Sequence, residues 1–172
     1  MIKDLYLKKK LVSGWFKLLQ QTICYEFEKI EYDLGKKIGK RPKVFIKNTW
    51  KKSNIKNEGG GSYFIIKDGL AFDRVGVNFS EVSGKFSNKF RSQILGAKKN
   101  PSYWTSGISI VAHMKNPKIP AMHFNTRFVV TSQNWFGGGM DVTPSIKDQK
   151  ESKLFHKKIR TMCNKHNSSY YL

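Results

Sequence analysis

Between Gly107 and Pro144, hydrophobic and polar positions alternate with the two-residue period of a β-strand. In the run Gly-Ile-Ser-Ile-Val-Ala-His, Ser109, Val111 and His113 fall on one face, with Ile108, Ile110 and Ala112 on the other. In Met-His-Phe-Asn-Thr-Arg-Phe, His123, Asn125 and Arg127 share a face, and Met122, Phe124, Thr126 and Phe128 share the opposite one. The apolar faces can anchor both strands while the others display imidazole, amide, hydroxyl and guanidinium groups. A loop with Pro117 and Pro120 joins the two strands. A third strand, around Asn134 to Phe136, runs into Gly137-Gly138-Gly139 and delivers the lone Asp141.

Upstream the period lengthens. From about Ser13, a suitable N-cap, Trp15, Leu19, Ile23, Phe27 and Ile30 recur at helical spacing, and residues 1–10 read as a frayed basic lead-in. Gly35, Gly39 and Pro42 end the pattern. Val44 to Ile46 predict a short strand, followed by polar residues to Glu58 and the run Gly59-Gly60-Gly61. Strands at Ser62–Lys67 and from Leu70 to Phe79 flank Asp68-Gly69, a two-residue hairpin signal. Phe86, Phe90 and Ile94 suggest a short helix before Gly96. A last helix, Asp148 to Lys165, carries Phe155, Ile159, Met162 and Cys163 as its apolar stripe, with His156 near the buried edge. Strands that pair as hairpins, with helices before, between and after, predict an α+β fold around a largely antiparallel sheet. At 172 residues, with no repeat and no long linker, the chain reads as one domain.

Charge changes this picture modestly. Lys and Arg number 32 against 12 Asp and Glu, a formal net charge of +20. That attracts polyanions, either nucleic acid or a small molecule with several carboxylates. Solvated lysines of a Lys-, Asn- and Ile-rich composition account for the larger part of it. No motif for DNA or RNA recognition accompanies the charge, so a basic nucleic-acid-binding module ranks below the other readings. Cys24 and Cys163 read as free thiols of a reducing cytoplasm, and no Cys-x-x-Cys spacing supports a zinc ribbon. No apolar run is long enough to span a bilayer.

The chemistry-bearing residues each carry two readings. Gly59–Gly61 lacks the Gly-Lys-Ser/Thr of a phosphate loop, which favours a flexible loop or close backbone packing. Arg127 either pairs with an internal acid or grips an external carboxylate, and the shortage of acids tilts towards the second. His113, His123 and His156 are structural histidines or a loose metal set without a tight ligand spacing. Asp141 is a turn former or an acceptor for N–H donors. Together these residues suit an anionic, flat ligand, with acid–base groups but no nucleophile–base pair.

Several segments are similar to those of the oxygen-dependent coproporphyrinogen III oxidase family. They are Gly-Gly-Gly-Ser at 59–62, Gly-Val-Asn-Phe-Ser-Glu-Val at 76–82, Gly-Ile-Ser-Ile-Val-Ala-His at 107–113 and Asn116-Pro117. His-Phe-Asn-Thr-Arg at 123–127, Trp-Phe-Gly-Gly-Gly-Met-Asp-Val-Thr-Pro at 135–144 and Phe155-His156 complete the set. The resemblance implies a large, flat, mostly antiparallel sheet flanked by helices on both faces, in a cytoplasmic homodimer. It implies oxidative decarboxylation of two of the four propionates of coproporphyrinogen III to vinyl groups, giving protoporphyrinogen IX in haem biosynthesis. Molecular oxygen is the co-substrate, without flavin or haem, and some bacterial members use a divalent metal.

By position, His123 matches the proton donor and Asp141 an acid facing the pyrrole N–H groups. Ser109, Asn125, Thr126 and Arg127 match substrate-binding positions, although alternation turns Thr126 away from its neighbours. His113, His123 and His156 match histidines assigned to the metal. Family members continue beyond the point matching Leu172, with a further histidine, an Arg-Gly-x-Gly-Gly and a Tyr-Asp-Arg-Gly segment. The expectation is therefore the N-terminal part of an oxidase domain, weakly active or inactive alone. The alternatives are a non-catalytic remnant and one half of a split enzyme.

Overall fold

The computed structural model describes residues 2–171, with side chains from residue 4 onward. Helix α1 (Ile2–Ile38) is followed by strands β1 (Ile46–Lys51), β2 (Gly59–Lys67) and β3 (Phe72–Lys85). After the short helix α2 (Asn88–Arg91) come β4 (Ser102–Met114), β5 (Ala121–Val130) and β6 (Asn134–Thr143). Helix α3 (Gln149–Asn164) and a 3-10 turn (Ser168–Tyr170) close the described chain. The strands form one antiparallel sheet in sequence order, β1-β2-β3-β4-β5-β6. An α+β architecture with an antiparallel sheet is thus what the chain adopts.

Helix α1 starts about three turns before Ser13. Its first residues are mostly Leu and Lys, which are good helix formers. It stops where Gly39 turns left-handed (φ +66°) and the N–H of Lys40 reaches back to the Gly35 carbonyl at 3.0 Å. The helix lies over β3 and β4. Its buried stripe is Phe16, Cys24 and the flanking Leu19, Ile23 and Phe27, packed on Val77, Phe79, Ile108, Ile110, Phe128 and Val130. Each large apolar side chain so buried contributes about 1.5–3 kcal/mol. Trp15 and Ile30, expected in the stripe, are instead 55% and 47% exposed.

The stripe is rotated because polar residues occupy it. Gln20 donates Nε2 to the carbonyls of Ser62 and Val77, both at 2.9 Å, and accepts from Ser62 Oγ at 3.0 Å. Glu31, wholly buried, accepts from the backbone N–H groups of Leu70, Ala71 and Phe72 at 2.7, 2.8 and 3.0 Å. Ser13, buried in mid-helix rather than capping it, donates to Glu81. Glu28 accepts from the Phe45 N–H at 2.7 Å. Each of these four groups thereby recovers what it lost on leaving water, whereas the Ser106 hydroxyl, also buried, has no hydrogen-bond partner among the described residues. Burial, reinforced by the Glu28 carboxylate, pushes the Cys24 thiol up from 9.0 to about 12.

Three other local expectations shift. The first strand begins at Ile46, not Val44, and continues through polar Asn48 and Lys51 as an exposed edge. The Asp68-Gly69 hairpin exists, but its loop spans 68–71 with Asp68 at φ +52°. The glycines at 59–61 and 137–139 are strand, not loop: they lie within β2 and β6. Helix α3 begins as expected, with Asp148 as N-cap accepting from Lys150 and Glu151. No described helix is long and apolar enough to cross a membrane.

The expectation of helices on both faces is not met among the described residues. Helix α1 lies across one face of the sheet, and no described helix lies across the other.

Candidate active site

Period-two alternation carries Val75, Val77, Phe79, Ile108, Ile110 and Phe128 onto the helix side, so their sequence neighbours emerge on the far side. The pairing register lines those neighbours up in rows across the sheet. One row reads Asn48, Tyr63, Asn78, Ser109, Asn125 and Gly139. On one side of it runs Ile65, Gly76, Val111, His123 and Asp141. On its other side runs Trp50, Gly61, Ser80, Gly107, Arg127 and Gly137. Four residues of β5 separate His123 from Arg127, about 13 Å along the strand. From β3 to β6 the rows cross three strand spacings, about 14 Å.

Small residues make this face a shallow bay. A side chain added at Gly76 or Gly139 would meet no heavy atom within 4 Å, so these positions leave open space above the sheet. Gly107 has the opposite role. A Cβ there would come within 2.7 Å of the Arg127 Cβ, so glycine is what allows Arg127 its place beside β4.

The polar groups differ in what they bond. His123 Nδ1 lies 2.8 Å from Asp141 Oδ1, directly across the β5–β6 pair. A carboxylate only accepts, so the proton sits on Nδ1 and Nε2 is left free towards solvent. The pair is well exposed, with side-chain accessibilities of 40% and 68%, so its worth is orientation rather than stability. The His113 and His123 rings stand edge to face at 6.2 Å, as diagonal neighbours on β4 and β5. Trp50 Nε1 donates to Asn78 Oδ1 at 3.3 Å. The ion pairs among the described residues are Lys8–Asp4, Lys52–Glu58 and His123–Asp141. Arg127 is exposed and takes part in none of them.

The structure therefore brings Ser109, His113, His123, Asn125, Arg127 and Asp141 onto one open face. It sets two expected residues apart. Thr126 lies on the helix side, between Ile108 and Gly138, because it has the parity of Phe124 and Phe128. His156 is on α3, where its Nδ1 bonds the Tyr171 hydroxyl at 3.0 Å. It lines a cavity of about 660 Å³ with Met122, Met140 and Val142, which have helix-side parity, and with Asp141 at the end of the site face. No group of three or more described His, Cys, Asp or Glu side chains is arranged to hold a metal ion. A metal shared by His113, His123 and His156 does not fit this arrangement.

Asn78 and Trp50 are among the residues of the face that escaped the sequence reading. Asn78 stands between Tyr63 and Ser109 in the central row, and Trp50 bounds the bay at the β1 edge. Asn78 had a visible signal, as one of the polar alternates in Arg-Val-Gly-Val-Asn-Phe-Ser. Trp50 had none, since β1 carries no alternating pattern.

With two imidazoles, one fixed by a carboxylate, an unpaired guanidinium, amides and a hydroxyl, the face can hold carboxylates and move a proton above a flat ligand. A family model described as coproporphyrinogen III oxidase matches residues 11–172. The oxygen-dependent coproporphyrinogen-III oxidases of Rickettsia typhi (strain ATCC VR-144 / Wilmington) and Rickettsia prowazekii (strain Madrid E) are each 46% identical over 163 residues. The protein of that name from Rickettsia bellii (strain RML369-C) is 44% identical over the same length. In each case the match covers 95% of this chain and 57% of the relative.

Proposed function

Because the chain belongs to the coproporphyrinogen III oxidase family, we propose that its open sheet face is the wall against which coproporphyrinogen III is oxidatively decarboxylated. The observation that carries this reading is the register. It sets Arg127, Asn125, Ser109 and the His123–Asp141 pair around one glycine-floored bay.

In this reading the flat macrocycle lies over Gly76 and Gly139, where an added side chain would meet no heavy atom within 4 Å. Arg127 grips a propionate through a charge-assisted contact, and Asn125 and Ser109 add hydrogen bonds. The second carboxylate oxygen of Asp141 accepts from pyrrole N–H groups, and its first keeps His123 in one tautomer. His123 Nε2 takes up and returns the proton that leaves the substrate. Each reacting propionate loses carbon dioxide and one hydrogen from the carbon next to the ring, leaving a vinyl group. The electron pair released, together with that proton and a second one from solvent, reduces molecular oxygen, the co-substrate, to hydrogen peroxide. The positive charge of the chain draws in a tetra-anion. The family resemblance also supports action in the cytoplasm as a homodimer.

The chain spans 57% of the length of the curated relatives it matches, so the test places it in a full-length frame. Its matching 163 residues would replace their counterparts in the Rickettsia typhi oxidase. The hybrid should form a divinyl product from coproporphyrinogen III only when oxygen is present. An Asp141→Asn version should be slower by about a hundredfold or more. A folded hybrid that is inactive beside an active parent contradicts the reading.

A further inference from the structure

Two cations that pair across β2 and β3 on the open face, Lys67 and Arg74, have no role in the decarboxylation so described, and Arg74 is the one nearer the bay. Arg74 belongs to β3, and its Cα pairs with that of His113 on β4. The pairing skips a residue just before it: Phe72 is opposite Met114, yet Arg74 is opposite His113. This β-bulge lets both Phe72 and Val75 enter the core, where they are 2% and 0% exposed. Arg74 is thus held between two buried anchors and aimed outward, the use to which bulges beside binding sites are often put. Its side chain is exposed, and none of the ion pairs among the described residues involves it. Asp73, its neighbour in the bulge, makes no ion pair with it; the Asp73 carbonyl accepts from the Asp68 N–H at 2.8 Å.

Its position relative to Arg127 is informative. Arg127 pairs with Gly107 on β4, six residues from His113, and lies on the second strand from Arg74. The two backbones are therefore about 22 Å apart on the diagonal of the bay. Asn78, Ser109, Asn125 and Gly76 lie between them. Two guanidiniums so placed cannot share one carboxylate edge of a flat ligand, but their long side chains can reach inward to opposite edges.

Resting on the coproporphyrinogen reading of the same face, we propose that Arg74 is a second carboxylate anchor. It grips the edge of the ligand opposite the one held by Arg127. The pair makes the face selective for flat anions with carboxylates on opposing edges over those with carboxylates on one edge. His113, across from Arg74, lies at the same end as a second donor.

The test uses the full chain and two stable, fluorescent probes. Coproporphyrin III carries carboxylates around its whole rim, and mesoporphyrin IX carries them on one edge only. Affinities would be read by fluorescence titration for the wild type and for Arg74→Gln, Arg74→Lys and Arg127→Gln, each first checked for an unchanged melting curve. Arg74→Gln should weaken coproporphyrin III by about tenfold, the loss of one charge-assisted contact. It should leave mesoporphyrin IX nearly unchanged, and Arg74→Lys should recover part of the loss. Arg127→Gln should weaken both probes. Unchanged coproporphyrin binding by Arg74→Gln, or equal weakening of both probes, overturns the anchor while leaving the reading of the face intact. Failure of the wild type to bind either probe overturns that reading and the anchor with it.

Discussion

The two faces of this sheet treat polar side chains in opposite ways. On the helix side, Gln20, Glu31 and Ser13 are enclosed, and each is bonded to backbone or to a partner side chain. On the open side, Ser109, Asn125, Arg127 and Arg74 are at most half-buried, and the chain supplies Arg127 and Arg74 with no acidic partner among the described residues. The first set has its hydrogen-bonding capacity consumed by folding, whereas the second keeps its capacity for a ligand. Position on the sheet, more than residue type, separates structural from functional polarity here. A buried glutamate with three N–H partners and an exposed aspartate with one histidine are the same functional group used for different ends.

If that contrast holds, substitutions on the two faces should divide into stability effects and ligand effects. The largest stability loss is expected at Glu31. Glu31→Ala strands the N–H groups of Leu70, Ala71 and Phe72 inside the protein, and should cost about 3 kcal/mol or more in urea unfolding. A loss under about 1 kcal/mol would mean that the carboxylate is not what fixes the β2–β3 hairpin to α1. The matching change on the open face, Asp141→Asn, should alter stability by less than about 1 kcal/mol, because the His123 pair is exposed. A strongly destabilised Asp141→Asn protein would break the contrast from the other side.

The smallest effect is a pH dependence from Cys24. Its folded-state thiol titrates near 12 against 9.0 when unfolded, so folding favours the protonated form. Its contribution is constant below pH 9 and should fall as pH rises from about 9 towards 12. At about pH 8, iodoacetamide should label the half-buried Cys163 and spare the buried Cys24, which peptide mass mapping can read.

Much of the open face was legible in the sequence because β4 and β5 alternate cleanly. One face must be apolar to bind α1, so the polar positions between are exposed by parity alone. The same rule placed Thr126 on the helix side even though its motif neighbours face the bay. The helix register was not legible. Phe16, Gln20, Cys24, Phe27 and Glu31 share the buried side, and Gln20 and Glu31 among them are polar. Hydrophobic periodicity therefore pointed to Trp15 and Ile30, which are exposed. Nothing local marks Gln20 or Glu31 as buried, since their partners lie 39 to 57 positions away in the chain. The glycine strand Gly137–Gly139 was equally hidden, because glycine has low strand propensity and is held there by pairing with Arg127, Thr126 and Asn125. The separation of His156 from the other histidines depends on where α3 rests, which sequence spacing does not encode.

Ile110 and Val111 are neighbours in the chain on opposite faces of β4, the first 4% and the second 38% exposed. They provide the most direct test of the central claim that the open face is the tetrapyrrole face. In a methyl-labelled sample titrated with coproporphyrin III, ring currents from the bound macrocycle should shift the Val111 methyl resonances strongly. Those of Ile110, and of Val77 beside it, should move little. Shifts confined to Ile110, Val77 and the α1 side, with Val111 unmoved, would contradict the account.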